Sequence, residues 1–183
     1  MGSKMTSFIK CLTLWAGALL FVALGPVTGQ AESPELKTPS PVIYLADNLD
    51  EKDKLGWCID TLGRGWSDRL QAHSCKPKGG DVQFSYDKAS RQLKSVAFPG
   101  KCAEITDLNS KSVAFGLLDC SEGSAKQQFN FDQAQGFFKP ADQPKLCLAV
   151  GAASRSAGPF MSRALILANC EVTDAKLIKW TIK

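Results

Sequence analysis

The sequence predicts an all-β protein built from three copies of one unit. Three observations carry that expectation: a recurring cysteine spacing, an aromatic residue at near-constant distance behind each cysteine pair, and closing stretches in which apolar and polar residues alternate.

The first thirty-one residues stand apart from the repeats. They open with Lys4 and Lys10, continue through an apolar run from Leu12 to Leu24 broken only by Thr13 and Gly17, and reach small residues around Gly29 to Ala31. This order reads as a secretory signal peptide over residues 1–31, with cleavage after Ala31 preferred to cleavage after Gly29. The apolar run is short of the roughly 20 residues that cross a bilayer, and no later segment approaches that length. The sequence therefore predicts a secreted or periplasmic protein without a membrane span. Of the 22 basic residues, Lys4 and Lys10 fall in this segment, which leaves 20 against 18 acidic ones and a net charge of about +2. That balance carries no footprint for nucleic acid. The remaining chain of about 150 residues suits one domain with a substantial core.

Seven cysteines are present, and Cys11 falls in the leading segment. In an oxidising compartment the other six are expected to pair rather than hold a metal. Six cysteines allow fifteen pairings. Cys58, Cys102 and Cys147 follow one another at intervals of 44 and 45, and Cys75, Cys120 and Cys170 at 45 and 50. Phe84 lies 9 residues after Cys75, Phe129 lies 9 after Cys120, and Trp180 lies 10 after Cys170. Only the pairing Cys58 to Cys75, Cys102 to Cys120 and Cys147 to Cys170 treats the three units alike.

Each unit reaches its first cysteine from a turn, as in Leu55-Gly56-Trp57-Cys58, Pro99-Gly100-Lys101-Cys102 and Pro144-Lys145-Leu146-Cys147. The closing stretches Val82 to Tyr86, Gln127 to Phe131 and Ile178 to Ile182 alternate with the period of a strand. Short apolar runs, Phe115 to Leu118 and Leu165 to Ala168, lie between the cysteines, and Gly, Pro, Asp, Asn and Ser gather at the joints. The repeats run over about 41–92, 93–136 and 137–183. Propellers need more blades than three, so a closed threefold arrangement fits better. Residues 32–40, with Pro34 and Pro39, read as an exposed leader before a first strand near Val42 to Leu45. Insertions at Asp47 to Lys54 and Gly151 to Pro159 read as surface loops. No amphipathic helix is predicted, and no Asn-x-Ser/Thr acceptor occurs.

Over Pro41 to Lys183 this register resembles the ricin B-type lectin family. The resemblance implies a β-trefoil, each repeat often closed by a local disulfide and a Q-x-W-like motif. Only the middle repeat keeps the glutamine, in Gln127-Gln128-Phe129; Val82 and Ile178 stand at the corresponding positions, and Phe84 and Phe129 replace tryptophan. In sugar-binding repeats of the family, an Asp two residues after the first cysteine works with polar or aromatic residues before the second. A carboxylate suits the hydroxyls of a pyranose, and an aromatic ring suits its C–H face.

Carried over residue by residue, the first repeat offers Asp60, Gln71, His73 and Asp81, with Trp66 as a stacking face. The second keeps Glu104 but has Gly116 and Leu118 in place of the partners, and the third has Ala149, Ile166 and Ala168. One sugar site, centred on Asp60, is therefore expected. The implied function is that of a secreted lectin-like protein, not an enzyme, without metal or cofactor, whose partners are glycans or glycoproteins at a cell surface. The alternative is a trefoil that has lost sugar binding and serves as a protein-interaction or toxin-targeting subunit beside another secreted chain. Plainer roles stand against each residue: Asp60 capping backbone amides, His73 as a structural histidine, Trp66 half-buried in its loop, and, for Arg155 and Arg163, which flank a small-residue loop and offer charge to an acidic partner, solvated charge in preference to that role.

Overall fold

Each repeat contributes four strands to the computed structural model, which describes residues 1–2 and 32–183. The first holds β1 (Ile43–Leu45), β2 (Trp57–Thr61), β3 (Leu70–Ser74) and β4 (Phe84–Asp87). The second holds β5 (Gln92–Ser95), β6 (Lys101–Ile105), β7 (Phe115–Asp119) and β8 (Phe129–Asp132). The third holds β9 (Phe137–Pro140), β10 (Leu146–Ala157), β11 (Phe160–Asn169) and β12 (Trp180–Ile182). Apart from two short 3₁₀ turns, these strands make up the regular structure of the described residues. The signal-peptide reading falls on residues 1–31, which lie, beyond the first two, outside the described residues.

The middle strands of every repeat form an antiparallel hairpin, and one disulfide ties each: Cys58–Cys75, Cys102–Cys120 and Cys147–Cys170. Loops of 17, 18 and 23 residues are closed in this way. Chain-entropy models assign such a loop about 3 kcal/mol. β1 pairs with β12 through Ile43↔Ile182, Tyr44↔Thr181 and Leu45↔Trp180, which joins the ends of the domain and closes the β-trefoil. Phe84, Phe129 and Trp180 meet in one core with Leu45, Ile59 and Leu117. The buried indoles find acceptors: Trp57 Nε1 donates to the Asn48 carbonyl at 2.8 Å and Trp180 Nε1 to the Leu148 carbonyl at 2.9 Å. Phenylalanine at the other two anchor positions fills the same place without that requirement.

Three segments depart from the sequence expectation. Residues 32–40 are mostly exposed, as expected, but are tied to the domain: Glu35 N donates to the Lys54 carbonyl, and buried Thr38 donates from Oγ1 to the Lys76 carbonyl at 3.0 Å. Pro34 lies against Gly56, whose φ of 80° and lack of a Cβ allow the approach. The insertion at Asp47 to Lys54 is a fastened cap and not a solvated loop. Its buried Glu51 accepts from the amides of Asp53 and Leu55 and from the Ser74 hydroxyl, and Asn48 accepts from the Gly56 amide.

The third departure positions the candidate site. Gly151 to Ala157 continues β10, and the two-residue turn Gly158-Pro159 leads directly into β11. Gly158 takes the positive φ (65°) that such turns require. β11 then pairs with β3 through Ser162↔His73 and Arg163↔Ala72, giving a six-stranded sheet in the order β10-β11-β3-β2-β1-β12. A hairpin of the third repeat thus lies against the first.

Arg163, expected as solvated charge, is the buried clamp of this hairpin. Its Nη1 donates to the carbonyls of Gly151 and Ala152 at 2.6 and 2.7 Å, its Nη2 pairs with Asp50, and its guanidinium lies 4.7 Å from the Trp57 ring centroid. Burial acts to raise the pKa of Asp50, but hydrogen bonds from Ser154 and Arg163 and the Arg163 charge hold it below the usual carboxylate range. The register shift between Val150 and Ser154 is held by these contacts, since Arg163 bonds the Gly151 and Ala152 carbonyls and Asp50 accepts from Ser154.

Candidate functional site

Alternate residues of a strand share a face, so Gln71 and His73 on β3 lie side by side. Pairing sets Asp60 of β2 opposite Gln71, and Ser162 of β11 opposite His73. Between the first repeat and the tip of the third-repeat hairpin this leaves a cleft of about 680 Å³. Gln71, His73, Lys76 and Asp81 line it from one side, and Arg155, Phe160 and their neighbours from the other.

Each wall residue is held in place. Gln71 donates from Nε2 to the Thr61 carbonyl at 3.1 Å, which orients its Oε1 to accept from Arg155 Nη2 at 3.2 Å. His73 Nδ1 lies 3.0 Å from the Ser74 carbonyl. A carbonyl only accepts, so the proton sits on Nδ1 and Nε2 presents a lone pair. Burial lowers the His73 pKa, against the opposing pull of that hydrogen bond, and the ring is neutral at neutral pH. Its edge meets Phe160, with ring centroids 5.5 Å apart at 64°. Lys76 Nζ bridges two carboxylates, at 2.6 Å from Asp81 Oδ1 and 3.1 Å from Asp60 Oδ2.

Asp60, the expected centre, stands behind the wall and not on it. It is fully buried, and its Oδ1 has no hydrogen-bond partner. Burial pushes its pKa up to about 7, against the attraction of Lys76 and with the help of the Asp81 charge. Asp60 Oδ2 also lies 3.8 Å from His73 Nδ1. Burial moves both groups toward their neutral forms, the reverse of what an ion pair would do, so this contact is not one.

Trp66 is not brought to the cleft. Half-exposed, it packs edge-on against Phe98 of the second repeat, centroids 5.1 Å apart, with Lys101 Nζ 5.0 Å from its ring centroid. The aromatic at the cleft is Phe160. The sequence held a signal for it, the turn pair Gly158-Pro159 followed by an aromatic inside the longest inter-cysteine loop. Lys76 was also missed. Its signal was fainter: the residue after the second cysteine is lysine only here, against Ser121 and Glu171.

The equivalent places in the other repeats are closed. Glu104 Oε2 accepts from Gln127 Nε2 at 2.9 Å, and the fully buried Gln127 also donates to the Asp119 carbonyl and accepts from Gln92 and the Ser121 amide. In the third repeat Ala149 packs with Cys147 and Ile178, and Ile166 and Ala168 lean on the same cluster. Among the described residues no group of three or more His, Cys, Asp or Glu is placed to hold a metal ion. No described helix is long and apolar enough to cross a membrane.

A family model of the ricin-type β-trefoil lectin domain matches residues 48–182. Among solved structures, an agglutinin from Abrus precatorius is similar at a TM-score of 0.52 with 11% identity, covering 78% of this chain and 45% of its own. A structure of GalNAc-T7 with UDP, GalNAc and Mn2+ is similar at a TM-score of 0.48 with 18% identity, over 69% of this chain and 20% of its own. This chain thus spans less than half the length of either. No curated protein matches in sequence.

Proposed function

The chain belongs to the ricin-type β-trefoil lectin family, and on that premise we propose that it is an exported carbohydrate-binding protein whose sugar site is the cleft between its first and third repeats. The observation that carries this reading is the convergence of Gln71, His73, Lys76 and Asp81 beside the Phe160 ring on one cleft. The chemistry suits a pyranose. Asp81 accepts hydroxyl hydrogen bonds, Lys76 donates them, His73 Nε2 accepts another, and Phe160 offers an apolar surface. Asp60 holds Lys76 from beneath and is a positioning residue. The basic and apolar character of residues 1–31 and the three disulfides support export. Glycans or glycoproteins of a cell surface are the partners.

A glycan array followed by titration calorimetry tests the site. Asp81→Ala is expected to weaken binding at least about tenfold, or 1.4 kcal/mol, without lowering the melting temperature appreciably. Retained affinity in that variant would remove the cleft from the reading. The protein-interaction alternative draws support from the second and third repeats, where Gln127 occupies Glu104 and Ala149 replaces the carboxylate. An array without a single bound glycan would favour it.

A further inference from the structure

We infer that the ligand of this cleft is an acidic glycan, whose carboxylate or sulfate ester is received by Arg155 and Arg64; this rests on the carbohydrate reading above and adds the class of sugar. The inference begins with the charges of the wall. Three cations line the cleft, Arg64, Lys76 and Arg155, against the single acid Asp81. Lys76 is already engaged between Asp81 and Asp60. Both arginines therefore face the cleft without an anion.

The hairpin that supplies Arg155 shows what an arginine with an internal counter-ion looks like here. Arg163 has its acid, Asp50, inside the molecule and two backbone carbonyls besides. Arg155 has one neutral partner, the Oε1 of Gln71, and makes no ion pair with any described residue. That partner is no accident of an exposed side chain. Gln71 is buried, and its amide nitrogen is spent on the Thr61 carbonyl, so only its oxygen is available to the guanidinium. Arg155 is thereby oriented across the cleft with most of its five N–H donors unused.

Arg64 comes from the loop between β2 and β3 of the first repeat. It sits between Gly63 and Gly65, whose φ angles of 103° and 70° turn the loop sharply at the cleft mouth. It too makes no ion pair with a described residue. Guanidinium groups match the paired oxygens of carboxylates and sulfates, and they favour anions over neutral hydroxyls. A neutral sugar would satisfy Asp81 and His73 and leave the two arginines to water. An acidic substituent uses both.

The test uses the full chain and a matched array: neutral oligosaccharides, the same cores ending in a hexuronic acid, and the same cores carrying a sulfate ester. Calorimetry then compares the best acidic glycan with its neutral core. The acidic form is expected to bind about tenfold or more tightly at low ionic strength, with the ratio falling as salt is added. In the R64Q/R155Q double variant, which alters only exposed side chains, the ratio should collapse toward one. Preference for uronates alone or sulfates alone identifies which anion is read, and either result supports the inference. Equal affinity for neutral and acidic forms, or a preference that survives in the double variant, overturns it while leaving the carbohydrate reading in place. Binding to no glycan at all overturns both.

Discussion

Asp60 and Glu104 occupy the same place in successive repeats, two residues beyond the first cysteine, and the fold treats them in opposite ways. Glu104 is only partly buried, and a glutamine whose four hydrogen bonds are all internal supplies its partner. Asp60 is fully buried, its Oδ1 is unpartnered, and its one strong partner is a lysine shared with a second carboxylate at a cleft. The residue at the glutamine position accounts for the difference. Gln127 can reach the carboxylate of its own repeat, whereas Val82 packs on the Cys58–Cys75 disulfide and offers nothing polar. The carboxylate of the first repeat is left to Lys76, which links it to the solvent-facing side. The same backbone position thus becomes a closed structural network in one repeat and the support of a cleft lysine in the other.

The largest effect that would sharpen this comparison is on pH dependence. The folded-state pKa of Asp60, about 7, lies above its ordinary 3.8. The folded protein therefore holds a proton that the unfolded chain releases. The stabilising contribution is complete below about pH 4 and is lost as pH rises to about 7, up to about 4 kcal/mol at most. Asp60→Asn should remove that dependence, so that urea unfolding from pH 4 to 8 shows the variant gaining on the wild type as pH rises. Parallel curves for the two proteins would show that the carboxylate is not kept out of water as described.

Next in size is the hub of the second repeat. Gln127→Ala removes one hydrogen bond each from Gln92, the Ser121 amide, the Asp119 carbonyl and Glu104, and a loss of about 3 kcal/mol is expected by chemical denaturation. Glycan affinity should not change. Replacing the pair together, as Gln127→Val with Glu104→Ala, imitates the apolar solution of the third repeat and should cost less than the two single changes summed. A sum that is simply additive would mean the two side chains do not act as a unit.

Smallest is Glu104→Gln. It keeps an oxygen for Gln127, and stability is expected to stay within about 0.5 kcal/mol of the wild type. Because Glu104 does not line the first-repeat cleft, calorimetry with any bound glycan should give an unchanged affinity. A loss of binding in this variant would move the sugar site to the second repeat and reverse the comparison.

What the sequence determined by itself was everything set by short spacing. Cys58 and Cys75, and their counterparts, close loops of 17 to 23 residues, and the aromatic behind each pair lies within ten residues. Partners that close report themselves in the chain, so the repeats, the pairing of the hairpins and the core anchors were legible. So was the contrast among repeats, since Asp60, Glu104 and Ala149 differ in kind.

Only the tertiary structure decided which residues share the cleft. The pairing of β11 with β3 joins His73 to Ser162 across the whole second repeat, and no local pattern announces it. The stretch Gly151 to Ala157 is rich in small residues, so its strand period is muted, and its extension depends on the Asp50–Arg163 clamp. For the same reason Trp66, close to the site in sequence, is turned toward Phe98, while Phe160 arrives from the far end of the chain. The depth of Asp60 was equally hidden. Whether a carboxylate meets water or lysine is settled by what the rest of the fold lays over it, and here that is Lys76, at the start of the loop beyond β3.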